Sequence, residues 1–115
     1  MRTFVIFFVL VLTTSCSLES PADQYVNDVA AIKRGKSIFI GTCMGYCHSF
    51  KPSRREAPDL FDCNWIHGGK DQDIFRTISE GVIDTKMASY GEKLPKGEED
   101  IWKIVAFLKT ERSSC

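Results

Sequence analysis

Two thiols and an imidazole fall within one short run, Cys43-Met44-Gly45-Tyr46-Cys47-His48, and no other stretch of the chain is as chemically specific. In an α-helix successive residues turn by about 100°, so a partner at i+3 lies roughly 60° short of the first residue's direction and one at i+4 roughly 40° past it. Both spacings leave two thiols on one face. Cys43 and Cys47 stand four apart, and Gly45 between them gives the backbone freedom to absorb a residue as a small bulge. Whatever the chain folds into must present these side chains together.

Three chemistries use such a set. Covalent attachment of haem c takes Cys, two residues, Cys, His; here three residues separate the cysteines. Same-face geometry still lets each thiol form a thioether with one vinyl group of a haem, with His48 turned to the iron. A structural zinc site would need a fourth ligand, from His67, Cys63 or an acidic residue. The third reading is a disulfide with an incidental histidine.

Upstream, Met1 to Ser15 reads as an export leader. Arg2 supplies the positive end, and Phe4 through Leu12 is an unbroken apolar run too short to span a bilayer. Thr13, Thr14 and Ser15 precede Cys16 in a pattern resembling the cleavage site of bacterial lipoproteins, whose cysteine becomes the lipid-bearing N-terminus, although Thr13 stands where leucine is usual. Ordinary cleavage and a soluble product is the rival. Either reading puts the folded part outside the cytoplasm, periplasmic or in the cell envelope, where oxidised cysteines persist. Of the five cysteines, lipid on Cys16 and haem on Cys43 and Cys47 would leave Cys63 and Cys115, enough for one disulfide. Otherwise they are two unrelated residues, one an exposed thiol at the end of an exported chain.

The expected organisation is a leader over 1–15, a polar tether over 16–24 and one domain over 25–115. That domain is near the lower end of what buries a useful core unaided, and a central cofactor would add apolar contact. Basic and acidic side chains balance at 15 each, which argues against a nucleic-acid partner. Lys51, Arg54 and Arg55 read as a solvated loop, or as a patch steering an acidic partner.

The pattern predicts three helices. The first runs from about Asp28 to Ile40, carrying Val29, Ile32, Phe39 and Ile40, with Gly35 and Phe39 on one face. Glycine inside a helix costs up to about 1 kcal/mol relative to alanine, a cost usually offset by the close approach of another helix. The last helix, about Glu98 to Thr110, is the expected partner. Its acidic start and basic end suit the macrodipole, and Ile101, Ile104, Val105 and Leu108 form an apolar stripe widened by Trp102 and Phe107. A third helix, about Gln72 to Glu80, follows Gly68-Gly69, stops at Gly81 and turns Ile74, Phe75 and Ile78 inward. No strand is expected, since Val82-Ile83 is too short.

With these helices placed, the chain resembles the class I c-type cytochromes over roughly Ala30 to Lys109. The matching residues come in that family's order: Gly35 and Phe39; Cys43, Cys47 and His48; Ala57-Pro58-Asp59-Leu60; Trp65-Ile66-His67-Gly68-Gly69; Lys86-Met87-Ala88-Ser89-Tyr90-Gly91; then Ile101 to Lys109. The resemblance implies an all-α cytochrome c fold, three to four helices around one covalently bound haem c, with the N- and C-terminal helices crossing. It carries the second axial ligand over to Met87. It also carries to Pro58 the carbonyl that accepts the proximal histidine's other ring N–H, a bond that fixes the tautomer and raises basicity.

Duller alternatives stand beside these. Met87 has the competing reading of a gap-filling core residue, but Met1 is the start and Met44 lies inside the motif, which leaves Met87 the only well-placed thioether; His67 is a rival sixth ligand or a turn residue. Trp65 reads as core packing whose indole N–H needs a partner, a haem propionate being one candidate. The function implied is one-electron transfer between redox proteins, such as a dehydrogenase and an oxidase or reductase, by a carrier that is not itself an enzyme. The other readings are a five-coordinate haem protein binding peroxide, oxygen or carbon monoxide, and a haem-free zinc module. In the fold implied by the resemblance, the last helix packs across the first, which lets its tail double back and join Cys115 to Cys63.

Overall fold

Asp28 starts the first long helix by accepting hydrogen bonds from the N–H groups of Ala30 and Ala31 at 2.9 and 3.1 Å, satisfying donors that a helix start otherwise leaves open. The structure, a computed structural model, describes residues 19–45, 47–51 and 57–112. Helix α1 covers Val29–Ile38 and runs into a wider turn over Phe39–Cys43, where Met44 N–H reaches back five residues to the Phe39 carbonyl at 2.9 Å. Helix α2 covers Asp71–Glu80 and α3 covers Glu98–Glu111. Among the described residues there is no strand. The expected helices differ from these only at their ends, because the first one widens at Phe39 instead of continuing regularly to Ile40.

The buried side of α1 is Ala31, Gly35 and Phe39, one turn apart from each other, and it lies on α3. A Cβ on Gly35 would collide with the Lys103 backbone carbonyl and sit 3.1 Å from the Ile104 nitrogen. The expected close approach is therefore real. Val29, read from the sequence among the apolar residues of α1, is 83% exposed; as the first residue after the cap it falls on the solvent side. Ile40 likewise faces outward in part.

Helix α3 is the central element, with Ile101, Ile104, Val105, Ala106, Phe107 and Leu108 buried. Phe107 meets Phe39 at 5.5 Å between ring centroids, and Phe61 and Phe50 complete an aromatic group around Phe39, each 5.7 Å from it. Such tilted and edge-on pairs add to simple area burial. Helix α2 also packs on α3, where Phe75 stacks on Trp102 at 4.2 Å.

The structure also corrects the expected tether. Ser20 caps a short 3₁₀ turn over Pro21–Gln24, accepting from Ala22 N–H while Asp23 accepts from Ser20 N–H at 2.8 Å. Ala22 is wholly buried, and Asp23 binds Lys109 of α3 at 2.6 Å. The same Lys109 ammonium binds Asp71 at the start of α2 at 2.7 Å. Residues 20–24 thus belong to the folded body, because a buried alanine and an ion pair to α3 outweigh their polar composition.

Candidate haem site

The extra residue between the cysteines is taken up in the backbone. His48 N–H donates to the Cys43 carbonyl at 3.0 Å, a five-residue closure wider than an α-turn, and it follows the widened Phe39–Cys43 turn directly. Cys43 is half-buried and Cys47 exposed, and both are free thiols, which removes the reading of a disulfide between them. Burial, with a smaller contribution from neighbouring Cys47, pushes the Cys43 thiol up to about 11; it remains protonated near neutral pH.

His48 is buried at 8% exposure. Its Nδ1 lies 3.0 Å from the Pro58 carbonyl oxygen, and a carbonyl can only accept, so Nδ1 carries the proton and Nε2 keeps its lone pair. Burial lowers the imidazole's affinity for a second proton, and the Pro58 carbonyl partly opposes this. The ring is thus held neutral and in one orientation, with Nε2 able to accept a metal or a proton donor.

Met87 sits half-buried against the core in the segment after α2. That segment is fastened to the helix end. Gly81, at φ +73°, turns the chain where a Cβ would lie 2.6 Å from the Met87 carbonyl; Val82 N–H donates to that carbonyl at 3.0 Å. Met87 N–H donates to Thr85 Oγ1 at 3.1 Å, and Tyr90 and Gly91 N–H groups return to the Ile78 and Ser79 carbonyls. His67 is exposed, in a turn closed by Gly68 N–H on the Trp65 carbonyl at 3.2 Å.

Trp65 packs against the core, yet its Nε1 is buried with no hydrogen-bond partner. Native interiors rarely leave a donor so, and one that is left calls for an explanation such as an absent acceptor. Cys63 is disulfide-bonded. Its predicted partner Cys115 lies outside the described residues, as do the leader, Cys16, Arg54 and Arg55. No cluster of three or more His, Cys, Asp or Glu side chains fit to hold a metal ion occurs among the described residues, and Cys63, once bonded, offers no thiolate to zinc.

Sequence reading missed the Phe50 and Phe61 contribution to the aromatic group and the pairing of Arg34 with Asp100. The first carried a signal, since both phenylalanines flank the segments holding His48 and Pro58. The second carried none.

Residues 30–108 match the sequence profile of the family described as cytochrome C oxidase, cbb3-type, subunit III. No curated protein matches the chain. Among solved structures, the chain is similar to cytochrome CL from the marine methylotrophic bacterium Methylophaga aminisulfidivorans MPT, with a TM-score of 0.66 and 23% identity over 88% of this chain and 72% of that one; at that identity the likeness establishes the fold. The profile match runs from the start of α1 into the last turns of α3 and takes in the Cys43–His48 run and the Met87 segment, and the chain therefore belongs to this family, as a class I c-type cytochrome.

Proposed function

We propose that the chain is an exported monohaem electron carrier in which Cys43 and Cys47 hold haem c through thioethers, His48 and Met87 are the axial ligands, and Trp65 donates to a propionate. The observation that carries this is the His48 ring, buried, fixed on Pro58 through Nδ1, and set next to two free thiols. The orphaned Trp65 Nε1 fits the same group, whose carboxylates would supply the missing acceptor. When bound, haem c supplies one iron that alternates between ferrous and ferric states.

The protein's part is to hold, orient and shield. Pro58 fixes the His48 tautomer and stiffens the ring. The Phe39, Phe50, Phe61 and Phe107 group and the half-buried Met87 supply apolar surroundings beside the motif. Histidine with methionine ligation raises a haem's reduction potential, which suits passage of electrons from a dehydrogenase towards an oxidase or reductase.

The reading extends to location. Cys16 follows the leader's apolar run and is the proposed lipid-bearing residue. The first described turn is capped by Ser20, and residues 17–19 separate that cap from Cys16, a span of at most roughly 14 Å at about 3.5 Å per residue. The domain would ride close to the membrane surface.

Denaturing electrophoresis with haem staining tests the covalent bond. Haem should survive acid acetone and migrate with the chain; complete extraction would sink the thioethers. Mass spectrometry of the mature N-terminus should find a lipid-modified Cys16, and an unmodified terminus beyond it would leave a soluble carrier.

A further inference from the structure

Trp65 is held on two sides by residues with no other evident task. Gly69 presses its backbone against the pyrrole side of the indole, where a Cβ would lie 3.0 Å from both Cγ and Cδ1. The Arg112 guanidinium lies over the ring at 5.6 Å from its centre and donates through NH1 to the Gly69 carbonyl at 2.7 Å. Among the described residues no carboxylate pairs with Arg112. Its backbone is fixed too, because its N–H closes α3 on the Leu108 carbonyl at 3.0 Å. Arg112 and Gly69 thereby form a clamp, and the ring it holds carries a buried, unpartnered N–H.

We infer that Arg112 is a positioning residue for Trp65: it fixes the indole plane so that Nε1–H is presented to an acceptor carboxylate of the bound porphyrin. The inference rests on the haem reading above. A guanidinium stacked on an indole gains from the ring's negative face, and its planar fork lets the same group donate to Gly69 without leaving the ring, which an ammonium point charge does not reproduce. The consequence is electrostatic as well as steric. A propionate that keeps its donor has its negative charge partly offset, which disfavours the ferric state; a propionate that loses it stabilises ferric iron and lowers the potential.

The test compares wild-type holoprotein with Arg112→Leu, Arg112→Lys, Trp65→Phe and the Arg112→Leu/Trp65→Phe pair. Two quantities are read: the reduction potential, and the proton-exchange rate of the Trp65 indole N–H, assigned as the resonance lost in Trp65→Phe. Arg112→Leu should speed the exchange and lower the potential. In the Trp65→Phe background it should shift the potential no further, since Arg112 acts through the indole. Arg112→Lys keeps a charge at the helix end, protects folding and should change both readings in the same direction as leucine. Unchanged exchange and potential in Arg112→Leu would overturn the inference, as would full rescue by lysine, or an equal potential shift with and without the indole, either of which makes charge alone the agent. A lowered thermal midpoint with both readings unchanged would also overturn it, leaving Arg112 a purely structural residue. Wild-type protein lacking a Soret band would remove the acceptor and sink the haem reading itself, a failure distinct from any result with Arg112.

Discussion

Arg34 of α1 grips Asp100 of α3 through two hydrogen bonds, Nε to Oδ1 at 3.0 Å and NH2 to Oδ2 at 2.9 Å. Asp100 has no accessible surface, and its Oδ2 also accepts from Lys96 N–H at 3.0 Å. One carboxylate therefore ties the first helix to the start of the last. It stands where the α3 macrodipole favours negative charge.

Asp100→Ala should destabilise the fold by about 1–3 kcal/mol, because it leaves the Lys96 N–H without its acceptor and takes the partner from a guanidinium that is itself part-exposed; urea unfolding measures it. The same carboxylate gives a pH signature. The Arg34 bond, with help from Lys96 N–H, holds Asp100 below its ordinary value of 3.8 despite burial, and the Lys109 bond, with Ser20 N–H, does so for Asp23. A carboxylate depressed on folding contributes stability that is complete above its unfolded pKa and lost as pH falls through the folded one. Thermal midpoints should thus hold near neutrality and drop below pH 4 or so, less steeply in Asp100→Asn. An unaltered acid slope in that variant would remove Asp100 from the acid transition.

Gly35→Ala should lower stability by about 1–3 kcal/mol, the usual cost of overpacking, although alanine elsewhere in a helix gains up to about 1 kcal/mol over glycine. Backbone blocks the added methyl, and the Lys103 carbonyl cannot rotate away as a side chain would. A stabilised Gly35→Ala would mean that α1 and α3 do not approach so closely.

Gly35 shows what a sequence can announce. A glycine in the middle of a helix needs a compensating contact, so its cost points to a close neighbour, and the apolar stripe of Ile101, Ile104, Val105 and Leu108 supplied one. The Cys43–His48 run stood out for a similar reason, since few other residues offer those chemistries, and the pairing of its histidine with Pro58 is what the structure shows of it. Arg34 and Asp100 were not, because an arginine and an aspartate 66 residues apart each read as solvated until the helices are crossed. The Pro21–Gln24 turn lay between these cases. Ser20 and Asp23 have the spacing of a reciprocal cap, but the segment's polar composition hid a buried Ala22.

Met87→Ala should leave a folded protein and abolish the far-red methionine-to-iron band of the holoprotein. Folding should persist because backbone bonds from Val82, Tyr90 and Gly91 hold the segment without the side chain. The opened position should then bind carbon monoxide, giving a shifted Soret band in the reduced state. An unchanged spectrum would transfer the ligand role to another residue, and His67→Ala in the same background would identify whether the exposed histidine has moved in.

The remaining prediction is that Cys63 pairs with Cys115. Cys63 is disulfide-bonded while Cys43 and Cys47 are free, and the choice of partner turns on where the end of α3 lies. Arg112 reaches the Trp65–Gly69 segment, donating to the Gly69 carbonyl at 2.7 Å, so the chain arrives beside the stretch that follows Cys63 with only Ser113 and Ser114 left before Cys115. Disulfide geometry requires Cα atoms within about 7 Å, and the three residues after Arg112 extend at most roughly 10 Å at about 3.5 Å per residue. In the chain-entropy model a closed loop of about fifty residues stabilises the fold by roughly 4 kcal/mol, less any strain, a large share of a small domain's stability. Non-reduced peptide mapping should recover Cys63 joined to Cys115, and Cys115→Ser should lower the thermal midpoint of the oxidised protein to that of the reduced one. Recovery of Cys63 joined to Cys16 would overturn the pairing and the lipid anchor together, because a thiol in a disulfide cannot carry a lipid thioether.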